Sequence, residues 1–503
     1  MNAVFTRAVR YQVTARCVTP LRTGGGDTEA VLRYENGRAF IQGSSLAGAM
    51  REWLENDEAV KKDEALIARL FGSQERGGSL MVSDGVFSAD ADMLIRPHVK
   101  IDGKTGAAED QKKFDIAHTQ RGAVFEFTLT WLGNEEEPVR ADSICSIERI
   151  LSAINSGEIL IGAQKSNGFG RLSLEQDTKT LLPTENRSPA VVKTVYDLKN
   201  RQDRTAWLED WSSYPEGQRA FEFPPLSEPL KSSVVFTVQG WVDSILIKSS
   251  YTKQKAQADN EKRQADKQEK ETKSASTNDV TVNLMEQDCP ILPGSSVKGA
   301  LRSRVSAIAR LLKPDKARKT VDALFGRGPE ERDGTAKKER ASENLDFPYD
   351  LPDNGIPGKV RCEDVPLPHE TGKRKEIARI RLDRFTGGVI RQRLFWEEPV
   401  SGEITLKVSV SADQTVGCAL ILYALRDLAL KLWNLGSGAS IGRGFLHVRE
   451  IEARTPDGKQ IFLRDFYQNE SNLLSGTWSV EDSDGLWQIW NSALTEWRES
   501  HEA

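Results

Sequence analysis

Five sequence features occur twice along this chain of 503 residues, in the same order each time. They are a Gly-Ser-Ser-x-x-Gly-x-x-Arg segment (43–51 and 294–302), a Leu-Phe-Gly triplet (70–72 and 324–326) and a strand-like stretch that ends in aspartate (at 84 and at 364). An Asp-x-x-Thr-Gly element (102–106 and 383–387) and a glycine-rich loop (162–170 and 436–444) follow. One recurring motif can arise by chance, but five in register indicate an internal duplication. We therefore expect two related domains in tandem.

Hydrophobic periodicity predicts the same order of elements in each copy. Alternating apolar residues predict strands, and apolar runs at helical spacing predict helices. The predicted strands cover residues 9–17, 125–131, 234–238 and 404–410, and the predicted helices cover 46–55, 147–154 and 419–432. The order strand, helix, strands, helix, strand predicts an α+β fold of two tandem RRM-like (ferredoxin-like) domains with loop insertions.

Shifts in composition give the expected domain boundaries. The first domain is predicted at 1–182, a linker rich in Pro, Arg, Asp and Glu at 183–230, the second domain at 231–455 and a C-terminal extension at 456–503. Two insertions are expected in the second domain: a mobile loop of mixed charge at 253–276 and a polar segment at 327–376 that the first copy lacks. In the extension, Trp487, Trp490, Leu494 and Trp497 recur at helical spacing, which predicts a packed helix or, alternatively, a partner-docking surface.

Composition excludes several classes of protein. No stretch of about 18 apolar residues is present, so no membrane span is expected. The five cysteines are scattered without a CxxC pair, which disfavours a disulfide framework and a zinc site of cysteines, and the first ten residues lack the apolar core of a secretory signal. We therefore expect a cytoplasmic protein. The net charge of −5 means that any anionic ligand must be held by local basic groups, backbone amides and helix N-termini.

The ordered motifs resemble the repeat-associated mysterious protein (RAMP) superfamily of CRISPR systems. The Gly-Ser-Ser helix start, preceded by Pro293 in the second copy, and the Phe-Gly, Asp-x-x-Thr-Gly and Gly-x-Gly elements are similar to those of backbone subunits of type III effector complexes. The resemblance covers roughly 5–175 and 232–450, and two fused copies resemble the double-domain subunits of type III-D systems, with similar fusions in III-E. It implies three partners: guide (CRISPR) RNA, complementary target RNA and other effector subunits in a filament-like complex.

Three groups of residues are candidates for contact with RNA. A helix N-terminus offers free amides and partial positive charge to a phosphate, and glycines allow close approach of the backbone to a sugar-phosphate chain. By resemblance, a β-hairpin thumb near the Asp-x-x-Thr-Gly element folds over the guide RNA and splays one nucleotide out at intervals. The candidates are Ser44, Ser45, Arg51, Ser295, Ser296, Lys298 and Arg302 at the helices, Lys165, Gly168, Gly170, Gly442, Arg443 and Gly444 in the loops, and Lys100, Lys104, Arg381 and Arg384 beside the hairpins.

Each group also has an ordinary structural interpretation. The helices could be serine-capped and packed through Gly48 and Gly299, the glycine loops could be tight turns, and Asp102 and Asp383 could each fix a turn. These alternatives remain open at the level of sequence.

By the same resemblance, an aspartate in the loop after the first strand supports cleavage of the bound target RNA, about 16 residues before the Gly-Ser-Ser element. That count reaches Asp27 in the first copy, directly after three glycines, and Asn278 in the second, where a one-residue deletion would restore Asp279. A carboxylate on a flexible loop can approach a scissile phosphate or a bound Mg²⁺, so Mg²⁺ or another divalent cation is expected for cleavage. Alternatively, either aspartate caps a turn.

Three functions follow from these observations. The first is a guide-RNA-binding backbone subunit that is also a metal-dependent endoribonuclease, cutting target RNA at one or two sites. The second is a structural backbone subunit in which both aspartates are inert. The third is a guide-RNA-processing endoribonuclease of the same superfamily, which is disfavoured because such enzymes usually place a catalytic histidine in the N-terminal half, lack the Asp-x-x-Thr-Gly element and are commonly near half this length.

Overall fold

The computed structural model describes residues 5–24, 31–57, 63–88, 93–101, 108–134, 139–174, 190–209, 219–221, 223, 233–253, 280–286, 289–327, 356–367, 376–466 and 478–500. The chain divides into two compact units, with the boundary between Lys231 and Ser232. Each unit has its own hydrophobic core. In the described residues, no helix is both long and apolar enough to cross a membrane.

The first unit combines short and long strands with helices. Its strands are β1 (Arg7–Cys17), β2 (Leu32–Arg33), β3 (Ala39–Ile41), β4 (Leu80–Val82), β5 (Gly85–Phe87), β6 (Met93–Ile101), β7 (Ala108–Thr119), β8 (Val124–Gly133), β9 (Leu172–Ser173), β10 (Val191–Asp197) and β11 (Arg219–Ala220). Its helices are α1 (Gly43–Asn56), α2 (Glu64–Phe71), α3 (Val139–Ser156) and α4 (Arg201–Glu209).

The centre of the first sheet has the ferredoxin-like strand order. β1 pairs antiparallel with β8 on one side and with β9 and β10 on the other, and β8 pairs antiparallel with β4 and β5. Alternate residues of β1 are buried, among them Tyr11 and Val13, and the buried face of α3 includes Ile150 and Ile154. Each such side chain contributes about 1.5–3 kcal/mol on burial. β6 and β7 pair only with each other among the described strands, as a separate hairpin.

Part of the segment assigned to a linker belongs to this sheet. Within 183–230, β10 pairs with β1 over seven positions, from Arg7 opposite Asp197 to Val13 opposite Val191. Val191 is buried in the first core, which gives this strand a reason to pack rather than to remain solvated. The expected linker is therefore structured over residues 190–209.

The second unit repeats the pattern. Its strands are β12 (Ser233–Ile245), β13 (Lys248–Lys253), β14 (Val280–Asn283), β15 (Met285–Glu286), β16 (Cys289–Leu292), β17 (Val360–Cys362), β18 (Val365–Pro366), β19 (Ile377–Leu382), β20 (Val389–Glu398), β21 (Val400–Ser411), β22 (Leu446–Arg454), β23 (Gln460–Arg464) and β24 (Ser479–Glu481). Its helices are α5 (Gly294–Leu312), α6 (Pro314–Phe325), α7 (Thr415–Ala429) and α8 (Leu486–Glu499).

The two sheets share one topology. In the second unit, β22, β12, β21 and β17 are neighbours in that order and all pairs are antiparallel, as are β9, β1, β8 and β4 in the first. The α+β fold with two tandem ferredoxin-like domains is therefore confirmed. The second hairpin, β19–β20, belongs to a four-stranded sheet in which β20 runs parallel to β14.

The polar insertion expected at 327–376 is shorter than its composition suggested, because part of this segment forms strands. β17 and β18 lie inside 327–376, yet they occupy the places of β4 and β5 in the first unit. The polar insertion is therefore confined to the rest of that segment, of which 328–355 and 368–375 lie outside the described residues. The expected loop at 253–276 also lies outside them, apart from Lys253 at the end of β13.

The C-terminal extension completes the second unit. β23 pairs with β22, and α8 packs on the core through Trp490, whose ring lies 5.8 Å from that of Phe236. The indole nitrogen of Trp497 donates to the Thr320 hydroxyl at 3.1 Å. The packed helix predicted from the tryptophan spacing is present.

Candidate nucleic-acid interface

Both Gly-Ser-Ser helices are capped by an aspartate from a distant strand corner. Asp84 accepts a hydrogen bond from the Gly43 amide at 2.8 Å, and Asp364 accepts one from the Gly294 amide at 2.7 Å. A carboxylate is favourable at this end of a helix because the free amides carry partial positive charge. The serine cap expected from sequence is wrong: the N-cap residues are Gln42 and Pro293, and neither makes a side-chain cap hydrogen bond.

The alternative in which the helices pack through their glycines is not supported either. Gly48 and Gly299 lie on exposed faces, and a β-carbon at either position would meet no atom within 4 Å. Ser44 is exposed, and Ser45, Ser295 and Ser296 are half-buried in the same first turns. Since glycine costs a helix about 1 kcal/mol relative to alanine, two copies that keep it without an internal packing reason point to an external one.

The basic residues of the two helices are in different states. Arg51 pairs with Glu55 one turn along α1 at 2.8 Å, with both side chains exposed. Arg302 instead donates to Asp322 and to the Gly326 carbonyl, each at 2.8 Å, and so ties α5 to the end of α6. Burial lowers the pKa of Lys298 below its ordinary value, and the nearby Arg302 lowers it further.

The two glycine loops have the same backbone. Each contains a single 3₁₀ turn, Lys165–Asn167 or Ala439–Ile441, followed by glycines with positive φ. The φ values are +90° and +88° at Gly168 and Gly170, and +82° and +74° at Gly442 and Gly444. Glycine adopts these left-handed conformations at little energetic cost, so the glycines repeated in the sequence correspond to a repeated backbone conformation.

The last glycine of each loop is required by the chain itself. Gly170 donates its amide to the Pro20 carbonyl at 2.8 Å, and Gly444 donates to the Ser244 carbonyl at 2.7 Å. A β-carbon at Gly170 would collide with the Ile161 carbonyl, and one at Gly444 with that of Leu435. The loops are therefore fastened to the end of the first strand of each unit. At Gly442, in contrast, a β-carbon would meet nothing within 4 Å.

The cations of the two loops have different partners. Lys165 lies 3.7 Å from Glu52 and brings the first loop beside α1. Arg443 is 6% exposed and donates to Glu397 at 2.6 Å, and Arg379 donates to the same oxygen at 3.1 Å. Although burial raises it, these two hydrogen bonds hold the pKa of Glu397 below its ordinary value. Arg443 thus anchors the loop to β20.

The first loop is anchored to its hairpin by aromatic packing. Phe169 stands immediately before Gly170, as Arg443 stands before Gly444, and it is buried. The Arg96 guanidinium lies 5.0 Å from the centre of its ring, and the His118 ring packs edge-on at 5.5 Å. In both units the glycine loop is therefore fixed against the base of the hairpin.

The tip of the second hairpin is a rigid turn that presents an aromatic ring. The Asp383 carboxylate accepts from the amides of Phe385 and Thr386 at 3.0 and 2.8 Å and from the Thr386 hydroxyl at 3.0 Å. The Thr386 backbone bond first, and then the other two, lower the pKa of Asp383. Asp383 thus fixes a turn, while Phe385 is 95% exposed. Arg381 and Arg384 are exposed beside it.

The remaining predicted residues can be placed only in part. Lys100 lies on β6, whereas Asp102, Lys104, Asp27 and Asp279 lie outside the described residues. Of the part of the chain that is described, no group of three His, Cys, Asp or Glu side chains could hold a metal ion.

The strand register relates the sequence positions of Asp27 and Asp279 in the two units. Leu32 pairs with Phe40, three residues before Gly43, and the Leu284 carbonyl accepts from the Ile291 amide, three residues before Gly294. The hairpin between these partners is one residue shorter in the second unit. Counted from Leu32 and Leu284, Asp27 and Asp279 each stand five residues earlier.

Several site residues were missed by sequence reasoning. Asp84 and Asp364 were noted only as the ends of strand-like stretches, although their recurrence before the hairpins was a signal for a shared role. Glu397 and Phe169 gave no such signal, because their partners come from other elements and differ between the copies.

Comparison with known proteins agrees with this geometry. The sequence profile of the RAMP superfamily matches residues 14–173 and 228–447, one match for each unit. No curated protein matches the chain. The family match supports an RNA-binding, CRISPR-associated subunit. With most of both ferredoxin-like units covered, the chain belongs to the RAMP superfamily.

Proposed function

We propose that this chain is a guide-RNA-binding backbone subunit of a type III CRISPR ribonucleoprotein that cuts base-paired target RNA at one or two sites. One repeated arrangement supports the RNA-binding part of the proposal. In each unit the Gly-Ser-Ser helix has an open glycine, Gly48 or Gly299, and the glycine loop is hydrogen-bonded at the end of the first strand. Both units keep it, and the family match covers both.

The surfaces named above suit a sugar-phosphate chain rather than base recognition. The half-buried or exposed serines of the first turns and the open glycines just beyond them allow the RNA backbone to approach the start of each helix, where the helix dipole favours phosphate. Arg381, Arg384 and Phe385 at the hairpin tip are exposed and can lie over the RNA. Sequence specificity then comes from base pairing between guide and target, as in other RNA-guided systems.

The cleavage part of the proposal is supported by the shared register of Asp27 and Asp279. Each aspartate lies five residues before the strand-paired leucine at the equivalent position, Leu32 or Leu284. This shared spacing favours Asp279 over Asn278 as the second candidate. A divalent cation, when bound there, would supply charge stabilisation at the scissile phosphate.

The test uses the assembled complex with guide RNA and end-labelled complementary target RNA in Mg²⁺. We expect Asp27→Asn and Asp279→Asn each to slow one distinct cut at least about 100-fold while target binding persists, and EDTA to stop both cuts. Asp457→Asn, in an exposed turn closed by the Thr455 hydroxyl, is the matched control and should change nothing. An unchanged cut pattern in both variants would leave a structural subunit as the function.

A further inference from the structure

An aromatic side chain lies exposed on the open face of the second sheet. Along β12, Val238 and Val242 point into the core, whereas Trp241 and Asp243 lie on the opposite face. Trp241 retains 38% exposure. An indole is amphipathic and costs little in conformational entropy when ordered, so an exposed one on a rigid strand is suited to binding.

The indole is held by a neighbouring ring. His447 on β22 is paired opposite Trp241, and the two rings are stacked at 4.6 Å between centres and 5° between planes. His447 Nε2 lies 2.7 Å from Asp243 and Nδ1 lies 3.3 Å from the Lys431 ammonium. Lysine only donates, so Nδ1 accepts and Nε2–H donates to the carboxylate. Both ring nitrogens are thereby used to fix the plane of the platform.

Both charge signs surround this pair, with Asp243 and Glu403 beside Trp241 and with Lys431 and Arg449 as the cations. Lys431 is a non-glycine residue at φ +57°, a conformation that places its ammonium against His447 after the end of α7. Arg449 on the same strand as His447 is exposed and pairs with Glu403 at 2.7 Å. His447 follows Gly444 by three residues, and that glycine is bonded to Ser244 at the end of β12.

We propose that Trp241 and His447 form a stacking platform for one unpaired nucleobase of the bound RNA, which deepens the proposed function and rests on it. Stacking on an aromatic side chain accepts any base, because every base has a π-face, and such platforms on open sheets are a common way to hold single-stranded RNA. In this arrangement Lys431 and Arg449 would be the cations that meet the adjoining phosphates.

The platform belongs to the second unit. In the first unit the same register places Arg16 opposite Ser173, since Cys17 pairs with Leu172 as Val242 pairs with Leu446. The two copies therefore differ in chemistry at one equivalent position: a cation in the first, an aromatic pair in the second. Arg16 is the matched control for Trp241.

The experiment measures affinity of the full chain for a single-stranded oligouridylate and for an abasic oligomer of the same length. We expect Trp241→Ala to weaken oligouridylate binding about 5- to 150-fold and to leave the abasic oligomer unchanged. Trp241→Phe should retain most of the affinity. Threonine is favourable in a strand, so Trp241→Thr should keep the fold and lose the same affinity as Trp241→Ala. Arg16→Ala should change the affinities for the two oligomers by the same factor.

The outcomes separate this inference from the proposed function. If the wild-type chain binds neither oligomer, the RNA-binding function itself fails. If the wild type binds oligouridylate and Trp241→Thr binds it equally well, or loses both oligomers by the same factor, the platform is overturned while the proposed function stands. Selective loss of the base-containing oligomer supports the platform.

Discussion

At the scale of single residues, the two copies perform one task with different chemistry. The residue before the last loop glycine is Phe169 in one unit, packed under Arg96, and Arg443 in the other, bonded to Glu397. Both side chains are buried and both fix a glycine loop to a hairpin. The position is therefore defined by its place between loop and hairpin, and a buried cation there is compatible with the fold because a carboxylate neutralises it.

The carboxylate of Asp413 makes a testable contribution to the stability of the fold. Asp413, in the turn before α7, accepts from Lys359 at 2.6 Å and from Gln414 at 2.8 Å. Although burial raises it, hydrogen bonds from Lys359, Ser411 and Gln414 lower the pKa of Asp413 from 3.8 to about 2. A pKa lowered in the folded state stabilises the fold above the unfolded pKa, and this stabilisation is lost as pH falls from about 4 to about 2.

We therefore expect Asp413→Asn to destabilise the chain by about 0.5–1 kcal/mol at pH 7, a figure reduced because both side chains are partly exposed to solvent. The difference from wild type should shrink between about pH 4 and about pH 2 in urea unfolding curves. Lys359→Met removes the same bond and should show the same trend. A difference that does not vary with pH would contradict this account of Asp413.

At the scale of elements, alternation in the sequence was enough to place the central strands and the long helices. It was not enough to identify the caps, because Asp84 and Asp364 lie 41 and 70 residues from the glycines that they bond. The local Gly-Ser-Ser pattern suggested a serine cap instead. For the same reason β10 could not be placed, since its composition reads as a linker until β1 supplies the pairing partner.

The open glycines give a prediction for the Gly-Ser-Ser helices. Gly48→Ala and Gly299→Ala should each stabilise the chain by about 0.5–1 kcal/mol, because alanine is the better helix former and the added methyl meets no atom. If RNA backbone approaches these faces, the same changes should weaken guide-RNA binding. Thermal unfolding and RNA affinity are measured on the same samples.

A matched control separates helix propensity from contact with RNA. Ser303 and Ser306 lie further along α5. Ser303 is exposed, so Ser303→Ala changes the helix propensity of α5 without altering the first turn of either Gly-Ser-Ser helix. It should leave RNA affinity unchanged. If Gly48→Ala and Gly299→Ala stabilise the chain and bind guide RNA as wild type does, the helix starts do not contact the RNA backbone.

At the scale of the whole molecule, net charge was a poor guide to the ligand. The chain carries −5, yet the cations at the candidate interface divide into two groups. Arg302 and Arg443 are occupied by Asp322 and Glu397, whereas Arg381 and Arg384 are exposed at the hairpin tip. Sequence identified all four as RNA contacts because it could not show which carboxylate the fold brings to each arginine.

The duplication predicts that each half folds by itself. Among the described residues the two hydrophobic cores share no member, and the boundary between Lys231 and Ser232 separates two sheets that each contain the four strands of a ferredoxin-like centre. Fragments 1–231 and 232–503 should therefore each unfold cooperatively in circular dichroism, with midpoints within about 4 °C of the intact chain if separation costs about 1 kcal/mol. The second fragment must include α8, because Trp490 is part of its core. A fragment that shows helix and strand signals but no cooperative transition would mean that the two copies stabilise each other, and that the chain works as one folding unit.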